Sequence, residues 1–305
     1  MRKTEFMIQA LFVLFLAVIL TTCAVVEKGI DMIPTGGKIS ESDKQAIIKT
    51  SKTIRKTFAD ITEEEEYYIG RTVSAIILSK YSVHENKALT RYVNYVGNMV
   101  AIYSDRPETY AGYHFLILDS DEVNALSAPG GFIFISKGLL KRCRDEEMLA
   151  AILAHEVGHV SAKHGLKSIK KSRLIDAFKI LGQETAQKYG PEKLAQLTDI
   201  FEDVLGDIVE KLIERGYDRK YEYEADKLSV NIAARTGYNP QGLIDFLQTM
   251  VSDSKKPGHK GWFTTHPSAK DRITRAKKEI TALGKIPDKE SVRTTRFKKS
   301  MKGLS

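Results

Sequence analysis

Cysteine is almost absent: Cys23 and Cys143 are the only two in 305 residues. Long apolar runs are equally scarce. Phe6 to Leu20, broken only by Gln9, is the one such stretch, and a single N-terminal run cannot build a chamber within a membrane. Internal repeats are missing. The net charge is +8, but Lys and Arg are scattered and no nucleic-acid motif accompanies them, so nucleic acid is not expected as a partner. What remains, 42% hydrophobic and 28% charged, is a globular composition with room for one large domain or two small ones.

The N-terminus is organised differently. Met1-Arg2-Lys3 supplies a positive start, and the apolar run after it is short for a membrane span, a pattern that resembles a secretory signal peptide. Leu20-Thr21-Thr22-Cys23 looks like a bacterial lipobox, with Thr22 where Gly, Ala or Ser is usual. Residues 1–22 therefore read as a signal peptide and Cys23 as the lipidated residue that follows it. Simple cleavage and an uncleaved anchor are the alternatives. With Cys23 lipidated, Cys143 has no partner and no internal disulfide is expected.

Residues 23–60 read as a polar tether leading into a helix from Ser42 to Phe58. Helical patterning recurs over 63–79, 87–103, 219–234, 239–251 and 268–283. Lys167 to Arg215 is long, polar and helix-like, able to cover a site or to pack. Tyr113–Leu118 and Phe132–Ser136 are strand-like, with Asn124 to Ala128 and the turn Pro129-Gly130-Gly131 between them. The expected fold class is α+β: a mainly helical domain over 61–284 with a small antiparallel sheet. The strand of Asn124, Ala125, Leu126 and Ser127 is either a plain hairpin arm or an edge that offers its backbone to an extended peptide. Residues 285–305 read as a basic, mobile tail.

The centre of the chain is Leu149 to Val160, which contains His155-Glu156-Val157-Gly158-His159. On a helix, residues four apart differ by about 40° around the axis, so His155 and His159 face the same way and can bind one zinc ion. Glu156 is placed to act as general base on a water at that ion. Asp145, Glu146 and Glu147 suit the helix N-terminus, and no proline interrupts the run. Gly165 is expected to close it.

A third ligand is needed. His164 lies about 140° from His159 on a continuous helix and cannot share the metal. Two later Glu-x-x-x-Asp pairs fit the role. Glu214 and Asp218 enclose the helix-weakening Gly216, whereas Glu222 and Asp226 enclose no breaker. Either pair can equally be a solvated helix face, and spacing leaves the choice open.

Asp121-Glu122-Val123-Asn124-Ala125, Pro129-Gly130-Gly131, Gly138-Leu139-Leu140, the His155–His159 motif, Arg219-x-x-Glu222-x-x-Ala225-Asp226 and Thr265-His266-Pro267-Ser268 followed by Arg272 stand in this order. Together they resemble the zinc metallopeptidases of the HtpX and CaaX-prenyl-protease family. The likeness is closer to its periplasmic, singly anchored members than to its multi-span ones. It implies one zinc per chain held by His155, His159 and Glu222, with Glu156 catalytic. Asp226 would support a ligating histidine, and Arg219 would pair with an acid to fix its helix. His266 would lie near the site, at the metal in a resting state or at the oxyanion. The resemblance further implies endopeptidase action on misfolded or unassembled polypeptides, in a bacterial periplasm and anchored by lipid to the outer membrane. A chaperone or assembly factor for outer-membrane proteins is the alternative function.

Overall fold

Thr62 opens the first helix of the described residues by a reciprocal cap. Its hydroxyl accepts the N–H of Glu65 at 3.1 Å, and the Glu65 carboxylate accepts the N–H of Thr62 at 2.9 Å. The helix, α1 (Glu63–Lys80), follows with four glutamates in its first turn, which complement the positive end of the helix dipole. Asn86 caps α2 (Lys87–Ile102) through the N–H of Leu89. The structure is a computed structural model that describes residues 61–169, 206, 209–210, 213–253, 266 and 269–304. They fall in one unit, Thr57–Ser305. The signal sequence, Cys23, the 42–58 helix and most of the 167–215 segment lie outside them.

Three strands follow: β1 (His114–Leu118), β2 (Ala125–Ala128) and β3 (Phe132–Ser136), in the order β1-β3-β2. β2 and β3 pair antiparallel, as expected of the hairpin, but β1 runs parallel to β3, so the sheet is mixed rather than purely antiparallel. The cause is the connection after β1: it carries the chain past the central position to form the far edge first. Strict alternation then serves two layers. Ile133 and Ile135 join the core with α2, while Phe134 and Leu126 pack beneath α1. Pro129-Gly130-Gly131 closes the hairpin with Gly130 at φ 74, and a Cβ there would stand 2.9 Å from the Cα of Tyr67.

After the short α3 (Lys137–Leu140) comes α4 (Glu146–Ser161), capped by Asp145 and buried from Glu146 to Val160. A helix buried on all sides must have partners all round. They are α2 and the sheet, then α6 (Arg219–Thr236) and α7 (Gln241–Asp253), with α8 (Ala269–Leu283) packed against α6 and α7 in turn. Gly165 does not end α4. The helix stops at Ser161, Lys163 takes a left-handed conformation with φ 55, and Gly165 falls inside a separate short helix, α5 (His164–Ser168).

The segment after Leu283 is not a mobile tail. It forms α9 (Ser291–Met301), and Phe297 and Leu304 are buried in the main core. Its bases meet the acidic first turn of α4: Lys289 reaches Asp145 at 2.8 Å, Arg293 reaches Glu147 at 3.3 Å, and Arg296 pairs with Glu146. Glu146 has no exposed surface, and it also accepts the hydroxyls of Tyr92 and Tyr238 at 2.8 and 2.9 Å. A carboxylate buried this deeply requires such partners. That is why the final helix docks where it does.

Candidate metal centre

The site is made where α4 and α6 cross. At Gly158 the two helices come so close that an added Cβ would stand 3.1 Å from Leu228 Cβ. That approach sets Glu222 and Asp226 of α6 against the two histidines of α4. The Nε2 atoms of His155 and His159 lie 3.1 Å apart. Glu222 places one carboxylate oxygen 3.4 Å from His159 Nε2 and the other 3.6 Å from His155 Nε2. His266, from the segment before α8, lies with Nδ1 2.8 Å from Glu222. All four are buried, and their donor atoms lie within 4.8 Å of one another.

This donor set fits a zinc ion. Bonds of about 2.0–2.1 Å in a tetrahedron give donor–donor edges of about 3.3 Å, close to the separations above. The other ring nitrogens are turned outward to partners. His155 Nδ1 lies 3.0 Å from Asp226, and His159 Nδ1 lies 2.9 Å from His164 Nδ1. The electrostatics agree. Burial disfavours both imidazolium forms, yet Asp226 and Glu222 raise His155 to about 9, while burial, with the charge of His155, lowers His159 to about 4. Burial works against the Glu222 carboxylate, but the positive field of His266 and Arg272 holds it well below the usual range.

Arg272, on α8, is wholly buried. It donates two 2.7 Å hydrogen bonds to Asp226 and lies 3.0 Å from Glu222. It holds Asp226 ionised against burial. Arg219 is exposed on the first turn of α6 and has no acidic partner among the described residues, and the basic residue at the site comes from α8. The resemblance implied an arginine one turn from Glu222, whereas the arginine that pairs with Asp226 lies 46 residues beyond it. The Arg272 in the His-Pro segment was the available signal.

Glu156 is buried, and burial pushes its carboxyl above the usual range. It borders a cavity whose walls include Val73, Ile77, Leu126, Ile213, Tyr217 and His266. β2 forms one side of that cavity through Ala125, Leu126 and Ser127. Asn124 instead faces β3, bonding Ser136 through both its N–H and its C=O. The outward carbonyl of Ser127 accepts the Tyr217 hydroxyl at 3.0 Å, and the Tyr217 ring stacks on His159 with centroids 4.3 Å apart. Neither Tyr217 nor His164 was singled out by spacing as a neighbour of the site.

The profile described as Peptidase family M48 matches residues 87–280, more than half of the chain and all of the residues just placed around the histidine pair except Val73 and Ile77. The chain belongs to peptidase family M48. The M48 family is zinc-dependent, which agrees with the His-His-Glu-His cluster, and it places the chain among the zinc metallopeptidases. Among M48 relatives, the beta-barrel assembly-enhancing protease of Yersinia pestis is 25% identical over 209 residues, covering 67% of this chain and 41% of that protein. The mitochondrial metalloendopeptidase OMA1 of Schizosaccharomyces pombe is 25% identical over 223 residues, 72% of this chain and 62% of its own. The metalloprotease YcaL of Escherichia coli is 27% identical over 205 residues, 67% of this chain and 72% of its own. The chain thus spans less than half the length of the beta-barrel assembly-enhancing proteases it matches.

Proposed function

We propose that the protein is a zinc metalloendopeptidase that hydrolyses misfolded or unassembled envelope polypeptides. In this reading His155, His159 and Glu222 hold one zinc and Glu156 is the general base. The observation that carries it is the meeting of two Nε2 atoms and a buried carboxylate beside the Glu156-lined cavity. The bound metal would polarise the scissile carbonyl and lower the pKa of water to about 7. Glu156, whose carboxyl burial already favours proton uptake, takes a proton from the attacking water and delivers it to the leaving nitrogen. Asp226 orients His155 through Nδ1, and Arg272 holds Asp226 and Glu222 in place. His266 stands where it can meet the developing oxyanion or the metal.

The apolar cavity and the outer edge of β2 support an extended, unfolded stretch as substrate, with a hydrophobic side chain in the cavity and main-chain bonding along Ala125 to Ser127. The beta-barrel assembly-enhancing proteases among its relatives favour the envelope as the place of action. A signal peptide ending at residue 22, lipidation of Cys23 and attachment to the outer membrane in the periplasm complete the proposal. Among the described residues no helix is long and apolar enough to cross a membrane. The same apolar cavity also suits a chaperone that binds without cutting.

The test is hydrolysis of an unfolded protein such as casein, with and without chelator, followed by zinc add-back. Loss and recovery of cleavage is the expected result. Cleavage untouched by complete zinc removal overturns the proposal. A Glu156→Gln variant that keeps full function in cells favours the chaperone.

A further inference from the structure

His164 is buried and lies off the cavity walls around Glu156, yet it stands against a proposed metal ligand. Its Nδ1 is 2.9 Å from Nδ1 of His159, its Nε2 is 3.1 Å from Glu224, and Tyr221 stacks on its ring at 4.4 Å. A continuous helix would point His164 about 140° away from His159. The contact exists because α4 breaks at Lys163, the only non-glycine described residue with positive φ. Left-handed backbone at a residue with a side chain costs energy, and such positions gather at functional sites.

We infer that Glu224 and His164 form a brace that sets the tautomer and orientation of His159 for zinc. This inference rests on the metal-centre reading. With His159 Nε2 turned to the cluster, its Nδ1 carries the hydrogen and donates to His164 Nδ1. His164 then bears its own hydrogen on Nε2 and donates it to the Glu224 carboxylate. Each of the three groups has one orientation consistent with its neighbour, so the negative charge of Glu224 reaches His159 through two hydrogen bonds. Asp226 serves His155 directly, at 3.0 Å from Nδ1. The two ligating histidines are thus braced from opposite sides, one by a buried acid and the other through an intermediate imidazole to an acid whose side chain is half exposed. His164 and Glu224 are positioning residues and touch no substrate.

The experiment measures zinc affinity by competition with a chromogenic chelator, on the unaltered full chain and on Glu224→Leu, Glu224→Gln and His164→Leu. Because Glu224 lies at the surface, Glu224→Leu leaves the buried packing intact, and the melting temperature of the metal-free protein checks this. The expected result is zinc affinity weakened about 10–100-fold in Glu224→Leu and His164→Leu. Glu224→Gln, which keeps an acceptor oxygen, restores most of the affinity, and KM for an unfolded substrate stays unchanged throughout. Unaltered zinc affinity in Glu224→Leu overturns the brace. Absence of stoichiometric zinc from the unaltered protein instead overturns the metal-centre reading on which the brace rests.

Discussion

Arg272 and Asp226 form a fork-to-fork ion pair with both side chains essentially out of contact with water, each hydrogen bond measuring 2.7 Å. The pair links α8 to α6, and Asp226 in turn faces His155. Removing one partner of a buried pair leaves the other charge stranded, at a cost of about 3–5 kcal/mol. Arg272→Met strands two carboxylates, Glu222 and Asp226. Chemical denaturation of the metal-free protein is expected to show at least that loss. Arg272→Lys, which keeps the charge but not the planar fork, is expected to lose less.

Residues 291–304 make the second prediction. Truncation after Gly284 withdraws Phe297 and Leu304 from the core and takes two arginines from Glu147 and Glu146. Loss of a buried phenylalanine alone costs about 3–5 kcal/mol, so the unfolding midpoint should fall sharply. A segment without docking contacts would leave the midpoint unchanged.

These two cases show what was legible in the sequence. The His155–His159 motif announces itself because its geometry is local: four residues make about one helical turn, and the alanine-rich, proline-free run fixes the helix. The helices over 63–80, 87–102, 219–236 and 269–283 follow from periodicity and caps of the same short range. Glu222 needed the family resemblance, since a Glu-x-x-x-Asp pair looks the same on a solvated face. Arg272, His164 and α9 depend on contacts that no local period encodes. α9 carries few apolar residues among many bases, and its burial depends on an acidic turn some 150 residues earlier, the separation of Arg296 from Glu146. The parallel β1–β3 ladder is hidden for a similar reason: strand-like residues do not state their order.

The cavity beside Glu156 predicts a preference. Ile213 is one of its walls, and a pocket of this kind discriminates by about 1–3 kcal/mol per methylene-sized change. Ile213→Ala enlarges it. In a library of peptides varied at one position, kcat/KM for Phe relative to Val is expected to rise about tenfold. An unchanged ratio would place the substrate side chain elsewhere.

Tyr217 occupies the Ser127 carbonyl on the open side of β2. A substrate strand added there competes with that hydroxyl. Tyr217→Phe removes the competitor, a hydrogen bond worth about 0.5–1.5 kcal/mol, while keeping the ring on His159. Steady-state kinetics on an unfolded substrate should show a lower KM at constant kcat. A fall in kcat at constant KM would instead assign the phenol to the chemical step.

The most direct test of the metal centre is zinc stoichiometry in the purified protein and in Glu222→Gln, measured by plasma emission after dialysis against a weak chelator. The expected result is one zinc per chain in the unaltered protein and little or none in the variant. Equal, stoichiometric zinc in both, or none in either, would contradict a site built from His155, His159 and Glu222.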